Sequence, residues 1–488
     1  MKIPGPVRLA AACALVVFAG GKTAMPADQI PLTTRSDEAR QLYLEGRDLS
    51  EKLRATDARA LFQRAAAKDP GFALAHVGLA NSAGTAREFF DAVARATALA
   101  DKASEPERLV ICALDAGAKG EPARQKDCLT KLTAACPEDE RARNLMGAYH
   151  FGRQDYAAAV EDYRKATAIN PAFSQPYNQM GYAYRFLGQL QEAGRAFQKY
   201  IELIPNDPNP DDSYAELLMK MGRFEESIKS YEKALAVDPH FVASYVGIGN
   251  DRVFMGQPAE ARRTYAKLLA IARNDGERLL AHFWTAMSWV HESRTDEAVA
   301  EVQKMAAIDE AGKDPVALSR TRTLVGNILL EAGRVDTAEA SFRDGLATMD
   351  KADVAVQVKE AAHRQALFDQ ARVALARNDL VSARAKGSDY TKAVAVRSIP
   401  FELRQGHELQ GRIALAERSH AVAAGELRQA NQQDPRVLYL TAMALQAEGD
   451  VAAARQLGTQ AADFNGLSNT YGYVRDKAMA MVKATKTN

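Results

Sequence analysis

The sequence predicts an all-α fold, a solenoid in which antiparallel helix pairs stack along the chain. Two columns of small residues recur every 34 residues: Gly147, Gly181, Ala215 and Gly249, then Ala159, Ala193, Ser227 and Ala261. Proline recurs with the same period, at Pro137, Pro171, Pro205 and Pro239. Self-similarity at a fixed period of this length is the signature of a repeat architecture, in which each unit packs on its neighbours.

Each unit contains a helix A and a helix B, and small residues lie where they meet. We expect Gly181 on helix A to face Ala193 on helix B, with Phe197 and Tyr200 filling the space beside that contact. A second glycine is expected to end helix A in the left-handed conformation, where a Cβ is penalised. This glycine recurs as Gly120, Gly188, Gly222, Gly256, Gly333 and Gly449. Proline then ends helix B because it cannot continue the hydrogen-bond ladder.

The best copy of the unit is YNQMGYAYRFLGQLQEAGRAFQKYIELIPN. It has two small residues and a proline at the spacings given above, and in this it resembles the tetratricopeptide repeat. The resemblance implies a right-handed superhelical solenoid whose helices A line the concave side. About twelve repeats are expected.

The N-terminus has the composition of a secretory signal. Lys2 and Arg8 precede the apolar run LAAACALVVFAGG, whose 13 residues are too few for a membrane span of about 20. Ala19 and Gly21 form a small-x-small site, so residues 1–21 are predicted to be a signal peptide cleaved before Lys22. The expected location is periplasmic or secreted, without stable membrane insertion. An uncleaved signal anchor is the alternative.

The remaining chain divides into four predicted segments. Residues 22–38 are a polar linker, and residues 39–273 hold about seven regular repeats. Residues 274–465 hold about five degenerate repeats, whose uneven spacing predicts longer helices or loops. Their helix A small residues are assigned as Ala286, Gly326, Ala371, Gly411 and Ala442. Residues 466–488 are predicted to form a C-terminal capping helix.

The charge balance bears on the class of partner, and the cysteines bear on a possible disulfide. Lys and Arg total 63 against 62 Asp and Glu, without a basic stripe, so nucleic acid is not expected as a partner. The exported chain would keep Cys112, Cys128 and Cys136. Two interpretations stay open: Cys112 on helix A faces and bridges Cys128 on helix B, or all three are small buried apolar residues.

Short motifs that suggest catalysis are each incomplete. GGKT at Gly20–Thr23 has Val16 where a phosphate-binding loop needs glycine. His407 and Glu408 begin a zinc motif, but Gly411 stands in the place of its second histidine. The aspartates of NDPNPDDS are too few for calcium and suit a helix start. The sequence therefore predicts no enzyme, no cofactor and no metal site.

Helix A carries the candidate binding residues. By resemblance to repeats that hold extended peptides with asparagine side chains, the groove is predicted to contain amides, aromatic rings and arginines. These are Asn81, Arg141, Asn144, Phe151, Asn178, Tyr182, Arg185, Phe186, Asn250, Phe254 and Asn327. The predicted function is an exported, non-catalytic scaffold that captures an extended segment or helix of a protein partner. The alternatives are a regulatory or accessory subunit of an envelope enzyme, secretion or sensor complex, and an unrecognised hydrolase.

Overall fold

The computed structural model describes residues 29–397 and 399–484, and these residues form helices and connecting segments without a β-strand. The α-helices are α1 Asp37–Glu51, α2 Ala55–Lys68, α3 Ala73–Asn81, α4 Ala86–Ala98, α5 Glu105–Lys119, α6 Pro122–Ala135, α7 Glu140–Gly152, α8 Tyr156–Ile169, α9 Gln175–Phe186, α10 Leu190–Leu203, α11 Pro208–Lys220, α12 Phe224–Val237, α13 Val242–Phe254, α14 Pro258–Ile271, α15 Asp275–His291, α16 Thr295–Ala311, α17 Pro315–Glu331, α18 Val335–Lys351, α19 Val356–Ala376, α20 Leu380–Arg397, α21 Pro400–Ala416, α22 His420–Leu427, α23 Pro435–Ala447, α24 Val451–Ala462 and α25 Tyr471–Ala484. A short 3₁₀ helix covers Ala100–Lys102.

Within the part of the chain that the structure describes, the helices form twelve antiparallel pairs followed by one further helix. Odd-numbered helices up to α23 are helices A and even-numbered ones up to α24 are helices B, and each helix packs on the next along the chain. The solenoid and the predicted count of about twelve repeats are therefore confirmed. Helix α25 packs on α24 and α23, and also on the distant α15.

The glycines of helix A make room for an aromatic ring of helix B. A Cβ built on Gly181 would lie 2.5 Å from the ring of Phe197, and one on Gly249 would lie 2.1 Å from Tyr265. Ala193 is fully buried at the same helix pair. The closest neighbour of Gly181 is thus the phenylalanine ring expected beside the contact, because a planar ring fits against bare backbone.

The glycines predicted to end helices A have the left-handed backbone conformation. All six have positive φ, from 68° at Gly120 to 88° at Gly449. Helices α6, α8, α10 and α12 each end two residues before the periodic proline. Helices α15 to α21 contain 17 to 21 residues, which accounts for the uneven spacing of the later repeats.

Two further features occur in the first four repeats. Cys112 on α5 and Cys128 on α6 form a disulfide, and the buried Cys136 lies outside it. Residues 29–36, within the predicted linker, run without helix along the start of the array, with Ile30 and Leu32 buried. The predicted signal peptide, residues 1–21, lies outside the described residues.

Candidate binding surface inside the solenoid

Three of the predicted groove residues are buried within the helical packing. Asn178 and Asn250 are 1% and 3% exposed, and Phe254 is 5% exposed. The Asn250 amide donates to the Val246 carbonyl of its own helix at 2.9 Å. The Asn178 amide has no hydrogen-bond partner among the described residues. In this conformation none of these three side chains offers open surface to a peptide, and their role in binding stays a prediction.

Four other predicted residues make contacts between repeats, three of them with the next repeat and one, Arg141, with the first repeat. The Arg141 guanidinium forms an ion pair with Glu51 on α1 at 2.6 Å, and the Asn144 amide donates to Gln175 Oε1 at 3.0 Å. The hydroxyls of Tyr182 and Ser213 lie 3.4 Å apart. Phe151 lies against Phe186 and Tyr156, with ring centroids 5.8 and 5.3 Å away, and Asn81 is exposed at the end of α3.

The last repeats pack against the ends of helices A in the middle of the array, so the solenoid closes on itself. Arg404 donates to the Arg153 carbonyl at 2.7 Å, Gln154 to Asn431 at 3.2 Å, Gln433 to the Phe186 carbonyl at 3.3 Å, and Arg475 to the Phe254 carbonyl at 3.1 Å. Phe254 also packs edge-on against Tyr471 with centroids 5.4 Å apart. We call these contacts the seam.

The closed solenoid surrounds a central cavity of about 1450 Å³. Its walls come from many repeats between α4 and α25 and include the predicted residues Arg185, Phe186 and Asn327. Both charge signs line it, as Arg185, Lys220, Arg320, Arg364, Arg372 and Arg436 with Glu216, Asp369, Glu402, Glu408 and Asp434. Amides and aromatic rings lie between these charges, so the wall offers donors, acceptors and apolar contact together.

Buried ion pairs hold the wall formed by the later repeats. Arg372 is 5% exposed, lies 3.2 Å from Asp369 and donates to Asn327 at 2.6 Å. Burial raises the pKa of Asp369 to about 6 despite that arginine. Burial likewise opposes ionisation of Glu331, yet nearby arginines, led by Arg436 at 2.8 Å, hold its pKa below the ordinary value. A preformed, balanced network of this kind is costly to break at one member.

Lys220 is a half-buried cation on the cavity wall whose pKa is lowered. Burial, followed by repulsion from Arg185, lowers the pKa of the Lys220 ammonium to about 8. Its Nζ donates to the Phe464 carbonyl and lies 3.9 Å from the Phe464 ring centroid. Arg185, by contrast, is paired with Glu216 at 3.0 Å. Among the described residues Lys220 has no carboxylate partner, so it can receive an acceptor from a ligand.

The sequence reasoning missed the cavity charges of the degenerate repeats. The two residues of the incomplete zinc motif have other partners: His407 lies 2.8 Å from Glu426, and Glu408 forms an ion pair with Arg412 at 2.6 Å. In residues 29–397 and 399–484 no group of three or more His, Cys, Asp or Glu side chains could hold a metal ion. No helix in that part of the chain is long and apolar enough to cross a membrane. The charged residues that recur on three helices A of the degenerate repeats, α19, α21 and α23, are the sequence feature from which this wall could have been predicted.

Comparison with known proteins identifies the central repeats. Residues 140–173, 174–207, 213–241 and 246–315 match models of the tetratricopeptide repeat. These matches cover helices α7 to α16, and the helix pairs on either side continue the same stacking.

Among curated relatives, the chain is 25% identical over 143 residues to the DnaJ homolog subfamily C member 7 homolog of Dictyostelium discoideum, covering 28% of this chain and 26% of that protein. It is 25% identical over 325 residues to cellulose synthase operon protein C of Xanthomonas axonopodis pv. citri, covering 63% of this chain and 21% of that protein. The chain therefore matches only about a quarter or less of the length of these relatives.

Among solved structures, MamA is 20% identical with a TM-score of 0.30, covering 34% of this chain and 91% of MamA. A tetratricopeptide repeat protein of Thermus thermophilus is 18% identical with a TM-score of 0.32, covering 37% of this chain and 96% of that protein.

Proposed function

We propose that the chain is an exported, non-catalytic scaffold that captures an extended segment or a helix of a partner protein inside the solenoid. The central cavity carries this proposal. At about 1450 Å³ it exceeds the roughly 300–1,000 Å³ usual for small-molecule sites. Its amides match the donors and acceptors of a peptide backbone, and its rings and paired charges match mixed side chains. A protein segment uses all of these groups together.

The disulfide supports the exported location. Disulfides persist in oxidising compartments such as the periplasm and are rare in a reducing cytosol. The Cys112–Cys128 bridge joins the two helices of one repeat. Together with the signal-like N-terminal composition, it favours a periplasmic or secreted protein.

A second candidate function is an accessory subunit of an envelope enzyme complex. The relative aligned over 63% of this chain is named cellulose synthase operon protein C. In this case the partner would be an enzyme or export component, and the chain would alter that partner's activity. Adding the purified mature chain to the partner's assay separates this function from simple capture.

Site-specific photocrosslinking tests the proposal. Arg320 and Phe401 line the cavity with exposed side chains and accept a crosslinking amino acid with little disturbance. Gln191 and Gln198, exposed on α10 and outside the cavity wall, are matched controls. We expect a partner protein from envelope extract to crosslink from the two cavity sites and not from α10. Crosslinks from α10 alone would place the ligand on the outer face and contradict the proposal.

A further inference from the structure

Residues 30–34 lie on the first four repeats as a chain that is extended at its start and turns at Thr33, where the Thr34 N–H donates to the Leu32 carbonyl at 3.1 Å. In an extended chain alternate side chains point to the same side. Ile30 and Leu32 are accordingly both buried, in a cluster that includes Phe72 and Ile111. The segment precedes the first repeat and belongs to no helix pair.

The backbone of this segment is held by side chains from repeats one, three and four. The N–H of Ile30 donates to Asp139 Oδ2 at 2.9 Å, and the N–H of Thr33 donates to Glu107 Oε1 at 2.8 Å. The N–H of Arg35 donates to Asp69 at 3.3 Å. From the other side, Arg40 donates to the carbonyls of Leu32 and Thr34 at 2.9 and 3.1 Å. We call Arg40, Asp69, Glu107 and Asp139 the clamp.

The clamp also recognises two hydroxyls. Thr33 Oγ1 donates to Glu107 Oε2, and Thr34 Oγ1 donates to Asp69 Oδ2 at 2.5 Å. This hydrogen bond from Thr34 is the main reason that the pKa of Asp69 lies below its ordinary value. Glu107 and Asp139 are 1% and 4% exposed, so their oxygens are shielded from water while the segment is in place. Shielded carboxylates that accept backbone N–H groups form a built site for an extended chain.

We propose that the clamp is a second peptide-binding site, occupied here by the chain's own N-terminal segment acting as an internal competitor. The ligand that displaces it is an extended segment of a partner protein with two aliphatic side chains at alternate positions, followed by two hydroxyl residues. These ligand properties are taken from residues 30–34, which contact the clamp through their backbone, two aliphatic side chains and two hydroxyls. The site lies on repeats one to four, outside the central cavity, and does not depend on capture there.

Peptide binding to full-length variants tests the proposal. The double variant Ile30→Asp with Leu32→Asp should unseat the internal segment, because both side chains are buried, and it leaves the clamp residues unchanged. A fluorescent peptide QIPLTTRS, copying residues 29–36, should bind this variant at least tenfold more tightly than it binds wild type, since a tethered segment competes at an effective concentration on the order of millimolar. Arg35→Ala, at an exposed side chain, is the matched control and should bind like wild type. Adding Asp69→Asn to the double variant should weaken binding at least fivefold.

Hydrogen exchange on the wild-type chain tests the same proposal even if the double variant does not fold. Excess QIPLTTRS should speed exchange of the Ile30 and Thr33 amides, whereas QDPDTTRS should not. A folded double variant that does not bind QIPLTTRS, or unchanged exchange in wild type, would overturn the proposal. Wild-type dimers that exchange N-terminal segments would assign the clamp to a second copy of this chain and would also overturn it.

Discussion

The contact between glycine and an aromatic ring decides how closely the two helices of a repeat approach. At Gly181 a Cβ would lie 2.5 Å from two atoms of the Phe197 ring, which is fully buried. We therefore expect Gly181→Ala to lower the free energy of unfolding by about 1–3 kcal/mol through overpacking. Chemical denaturation of the purified chain measures this. Gly425→Ala on α22, where no atom lies within 4 Å of the new Cβ, is the control and should be neutral or stabilising.

Buried carboxyls make stability depend on pH. Burial, reinforced by Glu216, raises the pKa of Asp212 to about 8, although Ser244 donates to it at 2.7 Å. A raised folded-state pKa gives stability that is complete below the unfolded value near 4 and is lost as pH rises through 8. Asp212→Asn should therefore reduce the fall in the denaturation midpoint between pH 5 and pH 8.5. Asp251, whose pKa burial also raises to about 8, accounts for a remaining fall. The exposed Glu232→Gln should leave the fall unchanged, and an equal fall in Asp212→Asn would contradict the prediction.

At the scale of the element, the turn from helix A to helix B contains one left-handed residue in every repeat except the second. Glycine supplies it in six repeats, and residues with side chains supply it in others, as Leu53, Gln154, Ser293, Asn378 and Arg418. The glycines were predictable because a conformation that penalises Cβ leaves a local mark on the sequence. The other turns were not, since neighbouring packing imposes the same φ on a residue that does not favour it.

Replacing one of these residues by glycine should relieve the strain. The Leu53 side chain is 43% exposed and its φ is 61°. Leu53→Gly removes a penalty of about 1–2 kcal/mol for the left-handed conformation, partly offset by the greater freedom of glycine in the unfolded chain. We expect a net rise in thermal midpoint, measured by circular dichroism. Leu187→Gly, at an exposed residue with φ of −78° one position before a turn glycine, should lower it.

The Cys112–Cys128 bridge constrains the pair α5 and α6. Its sequence separation is 16 residues, for which the chain-entropy model gives a stabilisation of about 3 kcal/mol. Cys112→Ala with Cys128→Ala should lower the unfolding free energy of the first repeats by about that amount. Reductant should lower the midpoint of wild type and of Cys136→Ala but leave the double variant unchanged. Insensitivity of wild type to reductant would show that the bridge does not stabilise this repeat.

At the scale of the whole molecule, the sequence predicts stacking but not closure. Helix pairs, prolines and turn glycines depend on contacts within about 34 residues, and each leaves a local pattern. The seam joins residues 221 to 277 positions apart, as between Arg404 and Arg153. Its existence depends on the small rotation between repeats summed over several of them, which no single repeat encodes. For this reason the burial of Phe254 beneath Tyr471 could not be predicted, while its place on helix A could.

The seam also forms part of the wall of the central cavity. The Arg404 side chain donates to a backbone carbonyl of the α7–α8 turn, and the Gln433 side chain donates to one at the end of α9. Removing both donors with Arg404→Ala and Gln433→Ala should weaken the seam while leaving the packing of each helix pair intact. We expect a larger radius of gyration by small-angle X-ray scattering and faster exchange at the ends of α7 and α9, with helical circular dichroism unchanged.

The matched control for the seam is Arg428→Ala with Gln446→Ala, which removes the same two side-chain types from exposed positions on the late repeats. It should leave the radius of gyration unchanged. If the scaffold captures its partner in the cavity, opening the seam should also raise the association rate with the partner, because entry no longer waits for closure to relax. A seam variant as compact as the control would contradict this prediction and would mean that the remaining seam contacts, those of Gln154, Arg475 and Tyr471, hold the solenoid closed.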